Sequence, residues 1–248
     1  NDQISSEFTI NDNVVSFNLG SYDPSKTVII DPWLVNPSFT LLNKALHVEK
    51  DMQGNVYVLG GGSSNNTATS ATPLQLRKYS AAGVFQWVFN FPIGCIGWYG
   101  DDLKVDADGF IYVSTGMNFS TGSHPGVFKM SPAGSIIWGV SGFEPYRVLV
   151  DNCSSNAMYI SQGNSGMIVR KYDKNTGAFL GSTPSYSTAF ALGGECRDMV
   201  KGDDGNYYGI GVNGTADFTK IDATLSTKLF GVAHGYGFAY LTAGAALY

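Results

Sequence analysis

The 248-residue sequence predicts an all-β protein: a β-propeller of four-stranded antiparallel blades, preceded by a short β-rich segment. Three observations lead to this prediction. A strand-turn-strand signature recurs four times, at spacings of 47 to 55 residues, which indicates a repeat architecture. Glycine is abundant (31 residues) and only 14% of residues are charged, a composition typical of short strands joined by tight turns. Apolar residues alternate with a period of two, and no window has the spacing of an amphipathic helix.

The first repeated element is a hairpin that precedes a tyrosine. In three copies an Asp-Gly or Gly-Asn pair stands just before the tyrosine strand, and such pairs supply the positive φ angles of hairpin turns. The strand before this turn and the strand after it are therefore predicted to pair. The four anchoring tyrosines are Tyr57, Tyr112, Tyr159 and Tyr208.

The second repeated element is a hairpin that follows a lysine. A glycine turn comes five or six residues after the lysine in three copies, whereas the fourth copy lacks the glycine and is predicted to turn at residues 224–226. Tryptophans follow the first two of these turns, and the repeated aromatic residues are predicted to pack between sheets. The anchors are Lys78, Lys129, Lys171 and Lys220, the turn glycines Gly83, Gly134 and Gly177, and the tryptophans Trp87 and Trp138.

Two hairpins in each copy make one four-stranded blade, and blades bury their faces by packing radially. Residues 1–40 do not fit the repeat and are predicted to be lead-in strands or the end of an N-terminal β domain. Because propellers have about four to eight blades, a set of four predicts an incomplete propeller. The predicted blades are residues 41–95, 96–143, 144–192 and 193–240.

Two motifs resemble a known family. The Ile-Asp-Pro sequence at residues 30–32 resembles the end of the segment that precedes the repeats in SBBP-type β-propeller proteins of Bacteroidetes-type bacteria. That family's blade signature is Gly-Gly, then Asp, then Asp-x-x-Gly-Asn-x-Tyr-Val-x-Gly. It is matched best by residues 51–60 and in part by residues 193–206. The third blade departs from it, with Cys-Ser-Ser-Asn at residues 153–156 where the turn belongs.

The resemblance implies an exported protein and a class of partner. SBBP-type proteins are large cell-surface or secreted proteins, often exported by the type IX route. The chain is accordingly expected to be an extracellular, non-catalytic module that acts as a scaffold or, like an adhesin, binds protein or glycan. Its expected partners are other domains of its own longer chain, secretion or cell-surface proteins, or glycans.

Charge and hydropathy exclude two other classes of partner. The net charge of −5 and the lack of a Lys/Arg cluster give no positive field for a phosphate backbone, so no nucleic acid is expected. No apolar run approaches the roughly 20 residues of a membrane span. Because the chain starts at Asn1 without a leader, it is expected to be a fragment or a processed product.

Residues that could support catalysis or metal binding are few. Of the three histidines, His47, His124 and His234, the last two have no nearby Glu or Cys that would make a metal pair, and no catalytic motif occurs. His47 is predicted to be an ordinary packed or edge histidine. The sequence therefore predicts no catalytic residue, no metal and no cofactor, although a propeller active site can be assembled from residues far apart in sequence.

Cysteine and aspartate residues receive similar structural interpretations. The three cysteines, Cys95, Cys153 and Cys196, lack metal-ligand spacing, and buried free thiols are favoured over a disulfide. Residues 106–109 and 203–205 resemble the opening of a calcium loop, but the later acidic ligands are missing. Their aspartates are predicted to cap turns instead.

Two alternative functions stay open at this point. Residues 173–177 resemble the Thr-Gly-x-x-x-Trp ending of quinoprotein dehydrogenase blades, but Gly181 stands at the tryptophan position. The other alternative is a carbohydrate-binding propeller lectin.

A binding surface is predicted where the loops between blades and the loops after the second strands open at one end of the propeller. Aromatic residues on those loops could stack on sugars or anchor a protein; the alternative is that they fill gaps between blades. The predicted binding rim comprises Trp98, Tyr99, Phe143, Tyr146, Tyr186, Phe190, Tyr236 and Phe238.

Overall fold

A computed structural model describes most of the chain as β-strands and the turns that join them. The chain divides into two compact units, residues 1–34 and residues 35–248. No helix occurs in the described ranges. These ranges are residues 4–11, 14–26, 37–39, 44–61, 74–92, 95–96, 101–117, 126–151, 156–162, 168–184, 195–212 and 218–232.

The first unit contains one antiparallel hairpin. Strand β1 (Ser6–Asn11) pairs with β2 (Val14–Leu19) in a register that joins Ser6 to Leu19 and Asn11 to Val14. One residue beyond the Ser6–Leu19 pair, the amide of Gly20 donates a further hydrogen bond to the carbonyl of Ser5 at 2.7 Å.

The second unit contains four four-stranded antiparallel sheets and one short strand pair. Its strands in chain order are β3 (Ala45–Lys50), β4 (Val56–Gly60), β5 (Gln75–Tyr79), β6 (Phe85–Asn90), β7 (Cys95–Ile96), β8 (Asp102–Val105), β9 (Ile111–Ser114), β10 (Gly116–Met117), β11 (Val127–Met130), β12 (Ile136–Val140), β13 (Pro145–Val150), β14 (Ala157–Gln162), β15 (Ile168–Asp173), β16 (Phe179–Ser182), β17 (Glu195–Lys201), β18 (Tyr207–Val212), β19 (Phe218–Ile221) and β20 (Lys228–Val232).

Each sheet is a simple meander in which every strand pairs with the next strand of its sheet. Blade 1 is β3-β4-β5-β6, blade 2 is β8-β9-β11-β12, blade 3 is β13-β14-β15-β16 and blade 4 is β17-β18-β19-β20. The short strands β7 and β10 pair with each other outside the blades. This topology is that of propeller blades, and it confirms the predicted fold class.

The two repeated anchors are cross-strand neighbours. Tyr57 lies opposite Lys78, which lies opposite Trp87, and blade 2 repeats this arrangement. The lysine ammonium lies over the tyrosine ring. This cation-π contact stabilises the charge of a lysine in a largely apolar sheet. The distances from Nζ to the ring centroid are 5.0 Å for Lys78 and Tyr57, 5.4 Å for Lys129 and Tyr112, 5.9 Å for Lys171 and Tyr159, and 5.2 Å for Lys220 and Tyr208.

The hydrophobic core lies between neighbouring blades, as the repeated aromatic residues predict. One cluster joins Tyr57 and Leu76 of blade 1 to Ile111 and Met130 of blade 2, and two similar clusters follow between the later blades. The tryptophan of one blade also covers the turn glycine of the next. Gly134 has a φ of 85°, which favours glycine, and a Cβ there would lie 3.1 Å from the Trp87 ring, so a larger residue would also press on this contact.

At the boundary between blades 3 and 4, a glycine replaces the tryptophan of the earlier blades and a leucine replaces the turn glycine. Gly181 occupies the position opposite Lys171 where the earlier blades have tryptophan. Leu225 has a φ of 62° at the position of the turn glycine, and its side chain is buried in the cluster between these blades. Leu225 donates its amide to Asp222 at 3.0 Å, which confirms the predicted turn at residues 224–226.

The innermost strand of each blade contacts the innermost strand of the next. The contacts run from β3 to β8, from β8 to β13 and from β13 to β17. Within the described ranges no contact of similar extent joins β17 back to β3. The four described blades therefore form an open arc.

Candidate functional site

At one equivalent position, the first strand of every blade carries a titratable side chain. Four residues before the position of the turn aspartate, blades 1 to 4 have His47, Asp102, Arg147 and Asp198. We call these four residues the inner charge row. They were not among the residues predicted for a site, although aligning the repeats upstream of the turn would have revealed them.

Local irregularities in the inner strands accompany these side chains. The register of β3 with β4 shifts between Ala45 and His47, and that of β17 with β18 shifts between Cys196 and Asp198. Strand β13 has a similar shift next to Arg147. A bulge places an extra residue on one strand and changes the direction of the following side chain, and bulges are frequent next to functional sites.

The first part of the row joins blade 1 to blade 2. His47 Nε2 lies 3.3 Å from Asp101 Oδ2, and His47 Nδ1 lies 3.9 Å from Asp102 Oδ1. The two aspartates are 7% and 3% exposed. A carboxylate is stable at such a depth when it is paired or hydrogen-bonded, so the imidazole and the two acids form one unit.

The second part of the row joins blade 2 to blades 3 and 4. Asp102 Oδ2 accepts the amide of Val148 at 2.9 Å, and an Arg147 guanidinium N–H donates to the carbonyl of Asp101 at 2.6 Å. Arg147 Nε lies 3.4 Å from Asp198 Oδ1. All these contacts cross a blade boundary, so the row connects the inner edges of the blades.

Buried hydroxyl groups support the same boundaries. Ser114 donates to the carbonyl of Tyr146 at 3.2 Å. Ser161 donates to the carbonyl of Cys196 at 3.0 Å and accepts the amide of Arg147 at 2.9 Å. Burial raises the pKa of the Cys196 thiol to about 12, which keeps it protonated and unreactive.

The accessible part of this region lies beside His47. The His47 side chain is 26% exposed, and those of Glu49 and Lys104 are 31% and 42% exposed. Lys104 Nζ lies 3.8 Å from Asp102 Oδ1 and 4.0 Å from Glu49 Oε2. A solvent-accessible imidazole and ammonium therefore contact the two buried acids, and the Glu49 carboxylate lies beside the ammonium. These accessible groups could bind a polar ligand from solvent.

The sequence stretches considered for metal or cofactor binding have structural roles. Asp106 accepts the amides of Asp108 and Phe110 at 3.1 and 2.9 Å, which confirms its role in the turn. Residues 173–177 form the hairpin turn of blade 3, where Asp173 Oδ1 accepts the amide of Thr176 at 2.8 Å. Among the described residues no three His, Cys, Asp or Glu side chains are grouped as metal ligands would be.

The predicted binding rim is described at two of its eight residues. Phe143 and Tyr146 are 6% and 2% exposed, and the Phe143 ring stacks on Tyr172 with centroids 6.2 Å apart. Neither therefore presents an exposed ring. Trp98, Tyr99, Tyr186, Phe190, Tyr236 and Phe238 lie outside the described residues, and so do Cys153, His124 and His234. The rim stays a prediction at those six aromatic positions.

Cys95 and Cys196 agree with the expectation of buried free thiols. Both side chains are buried and neither forms a disulfide. Burial raises the pKa of Cys95 to about 11.

Solved structures similar to this chain are β-propeller proteins. A protein of unknown function from Bacteroides caccae matches with a TM-score of 0.51 at 11% identity, over 75% of this chain and 66% of that chain. The chain has a propeller fold. BamB from Moraxella catarrhalis matches with a TM-score of 0.45 at 15% identity, over 74% of this chain and 48% of BamB. AztD from Citrobacter koseri matches with a TM-score of 0.47 at 12% identity, over 77% and 47%.

The chain spans about half to two thirds of the length of these propeller proteins. At such low identities the similarity concerns the fold. Neither a protein-family model nor a curated protein sequence matches the chain. The described part of the chain contains no helix of the length and apolarity that crossing a bilayer requires.

Proposed function

We propose that this propeller is a non-catalytic, exported module that binds glycans at the boundary between blades 1 and 2, where His47 and its neighbours are accessible. The main support is the contact of His47 with the buried Asp101 and Asp102 and of Lys104 with Asp102, with Glu49 beside Lys104. Carboxylate, imidazole and ammonium groups can hydrogen-bond to several hydroxyl groups of one sugar at once.

Aromatic side chains adjacent in sequence strengthen this proposal. Trp98 and Tyr99 stand three and two residues before Asp101 in sequence, and they belong to the predicted rim. Sites that bind small polar molecules combine aromatic walls with a few polar groups that fix orientation, and this stretch of sequence contains both. The charge row supports binding over catalysis because its members are engaged with one another across the blade boundaries.

The SBBP resemblance supports the export and the surface role. The blade signature at residues 51–60 is the best match to that family. In this proposal the propeller forms part of a cell-surface protein, and its partners are glycans together with other domains or surface proteins that hold it in place.

A glycan array probed with the 248-residue chain tests the proposal, followed by calorimetric titration with an oligosaccharide that binds. We expect His47→Gln and Trp98→Ala each to weaken binding at least tenfold. Phe179→Ala is the control, because Phe179 is 54% exposed on the outer strand of blade 3 and should leave affinity unchanged.

Two outcomes would contradict the proposal. If no glycan on the array is retained, the module is a scaffold. If a glycan binds equally well to all three variants, the site lies elsewhere. Addition of pyrroloquinoline quinone and calcium with a redox dye is a parallel assay, in which dye reduction would favour the quinoprotein alternative over a binding module.

A further inference from the structure

Each blade of the arc has one face that the following blade covers. In blades 1 to 3 this trailing face is centred on the anchoring tyrosine and on the residue two positions before the anchoring lysine. The tyrosines, Tyr57, Tyr112 and Tyr159, are 0%, 0% and 4% exposed. Their neighbours, Leu76, Val127 and Val169, are 0%, 0% and 1% exposed.

The trailing face of blade 4 is open. Tyr208 and Phe218 occupy the same two positions but are only partly buried, and Phe230, at the tryptophan position, is 41% exposed. The three rings form a continuous strip, with centroids 6.1 Å apart for Tyr208 and Phe218 and 5.6 Å apart for Phe218 and Phe230. Residues at positions that belong to a blade boundary are here at least partly exposed to solvent.

The leading face of blade 1 is open in the same way. Val48 is 65% exposed, whereas its equivalents Leu103, Val148 and Met199 are 2%, 2% and 5% exposed because the preceding blade covers them. The two ends of the arc therefore expose the two halves of one boundary, which occurs three times within the chain.

We propose that the open face of blade 4 binds the open face of blade 1 in a second copy of this chain. A second copy carries the leading face that this trailing face fits. Two arcs related by a two-fold axis would use both faces of both chains and leave no free face, which closes the assembly instead of extending it into a fibre. The resulting eight blades lie within the usual range of about four to eight.

The order of hydrogen-bonding groups on the inner strands favours the same arrangement. The inner charge row runs His47, Asp102, Arg147 and Asp198, so side chains with N–H donors alternate with carboxylates along the arc. A second copy that follows blade 4 with its own blade 1 places a histidine position next to Asp198. The alternation then continues around the whole ring.

Sedimentation velocity over a wide concentration range tests this assembly. We expect a dimer of the 248-residue chain, and we expect Phe230→Asp and Val48→Asp each to yield monomers with an unchanged circular dichroism spectrum. Phe179→Asp is the matched control: Phe179 is exposed like Phe230 but lies in blade 3, away from both open faces, so this variant should remain dimeric.

Mixing the two monomeric variants distinguishes this geometry from any symmetric contact. A mixed dimer of Phe230→Asp with Val48→Asp has one boundary with both substitutions and one boundary with both natural faces. We therefore expect the mixture to regain dimers that neither variant forms alone. A monomeric wild-type chain, or a dimer that both substitutions leave intact, would overturn the proposal. The monomeric result would mean that the open face of blade 4 does not bind a second copy.

Discussion

At the scale of single residues, the turn aspartates explain why the repeat signature couples an aspartate to a tyrosine. The Asp51 carboxylate accepts the amides of Gln53 and Asn55 at 3.0 and 2.9 Å, and it accepts the Tyr57 hydroxyl at 3.0 Å. One side chain thus closes the turn and satisfies the polar end of a buried ring. Asp106 and Tyr112 repeat the arrangement, with the hydroxyl at 3.1 Å.

Blade 4 preserves this contact with a different residue. Asp204, two positions later than expected, accepts the Tyr208 hydroxyl at 2.8 Å. Gly202 stands at the position of the usual aspartate. A Cβ there would lie 2.6 Å from the Tyr208 ring and 2.9 Å from the Asp204 carboxylate, so the shifted contact requires glycine.

Replacing Asp51 with asparagine tests this role through its pH dependence. Burial raises the pKa of Asp51, but hydrogen bonds from Asn55 and Tyr57 outweigh it and leave the pKa below its ordinary value. The carboxylate therefore contributes stability that is present above its unfolded pKa and lost as the pH falls through the folded value. We expect Asp51→Asn to lower the free energy of unfolding by about 1–3 kcal/mol at pH 7. Urea denaturation at pH 7 and in acid should show that the difference shrinks in acid.

Asp203→Asn is the control for this measurement. It makes the same chemical change at an exposed turn position of blade 4, where we expect an effect within about 0.5 kcal/mol. An Asp51→Asn loss that stays equally large in acid would show that its cause is not the ionised carboxylate.

The turns could be predicted from the sequence, whereas the contacts between blades could not. Asp-Gly and Gly-Asn pairs predict local backbone geometry, and for this reason the turn role of Asp106 could be predicted. The charge row could not, because His47, Asp102 and Arg147 come together only when inner strands of different blades meet. Its only sequence signal is a repeat position that stays titratable while its identity changes from blade to blade.

At the scale of elements, the contact between tryptophan and glycine links the outer hairpins of neighbouring blades. Gly134 has a φ of 85°, and a Cβ there would lie 3.1–3.2 Å from the Trp87 ring. Gly205 has a similar φ of 78° but no atom within 4 Å of such a Cβ. At both positions the positive φ would strain any other residue. Only Gly134 also lies against a side chain of another blade.

Replacing each of these glycines with alanine separates the two effects. We expect Gly205→Ala to cost about 1–2 kcal/mol because of its positive φ. Gly134→Ala should cost about 1 kcal/mol more, since Trp87 must move as well. Chemical denaturation of both variants measures the difference. Equal losses would mean that the Trp87 contact contributes no stability.

Leu225 leads to a prediction opposite to that of the repeat consensus. Three of the four blades have glycine in this turn, so a consensus argument expects Leu225→Gly to be stabilising. The Leu225 side chain is only 4% exposed, however, and it fills the space that the absence of a tryptophan at Gly181 leaves. Its loss should cost about 2–5 kcal/mol, of which relief of the positive φ returns about 1–2 kcal/mol.

We therefore expect Leu225→Gly to lower the melting temperature and the free energy of unfolding, by about 1–3 kcal/mol. Gly205→Ala, which adds a methyl group at a positive φ without a neighbour, gives the strain term independently. An increase in stability would show that the boundary between blades 3 and 4 does not depend on this side chain.

At the scale of the whole molecule, each inner blade shares its core with both neighbours. The three hydrophobic clusters join blades 1 and 2, blades 2 and 3, and blades 3 and 4. The inner charge row crosses the same three boundaries. A repeat protein whose stability lies mainly in its boundaries unfolds cooperatively, because one blade cannot open without exposing the faces of the next.

The buried thiols offer a direct measurement of this cooperativity. Cys95 belongs to the cluster between blades 1 and 2, and Cys196 to the cluster between blades 3 and 4. Burial raises their pKa values to about 11 and about 12, so at pH 8 neither should react with a thiol reagent in the native protein.

Cys153→Ser provides a background in which only these two thiols remain. Adding Cys95→Ser or Cys196→Ser to that background then isolates one reporter at a time. Along a urea titration both thiols should become reactive over one concentration range, which coincides with the loss of the far-ultraviolet dichroism signal. If Cys196 reacts at a lower urea concentration than Cys95, blades 3 and 4 open as a separate unit, and the shared clusters do not couple the two ends of the arc.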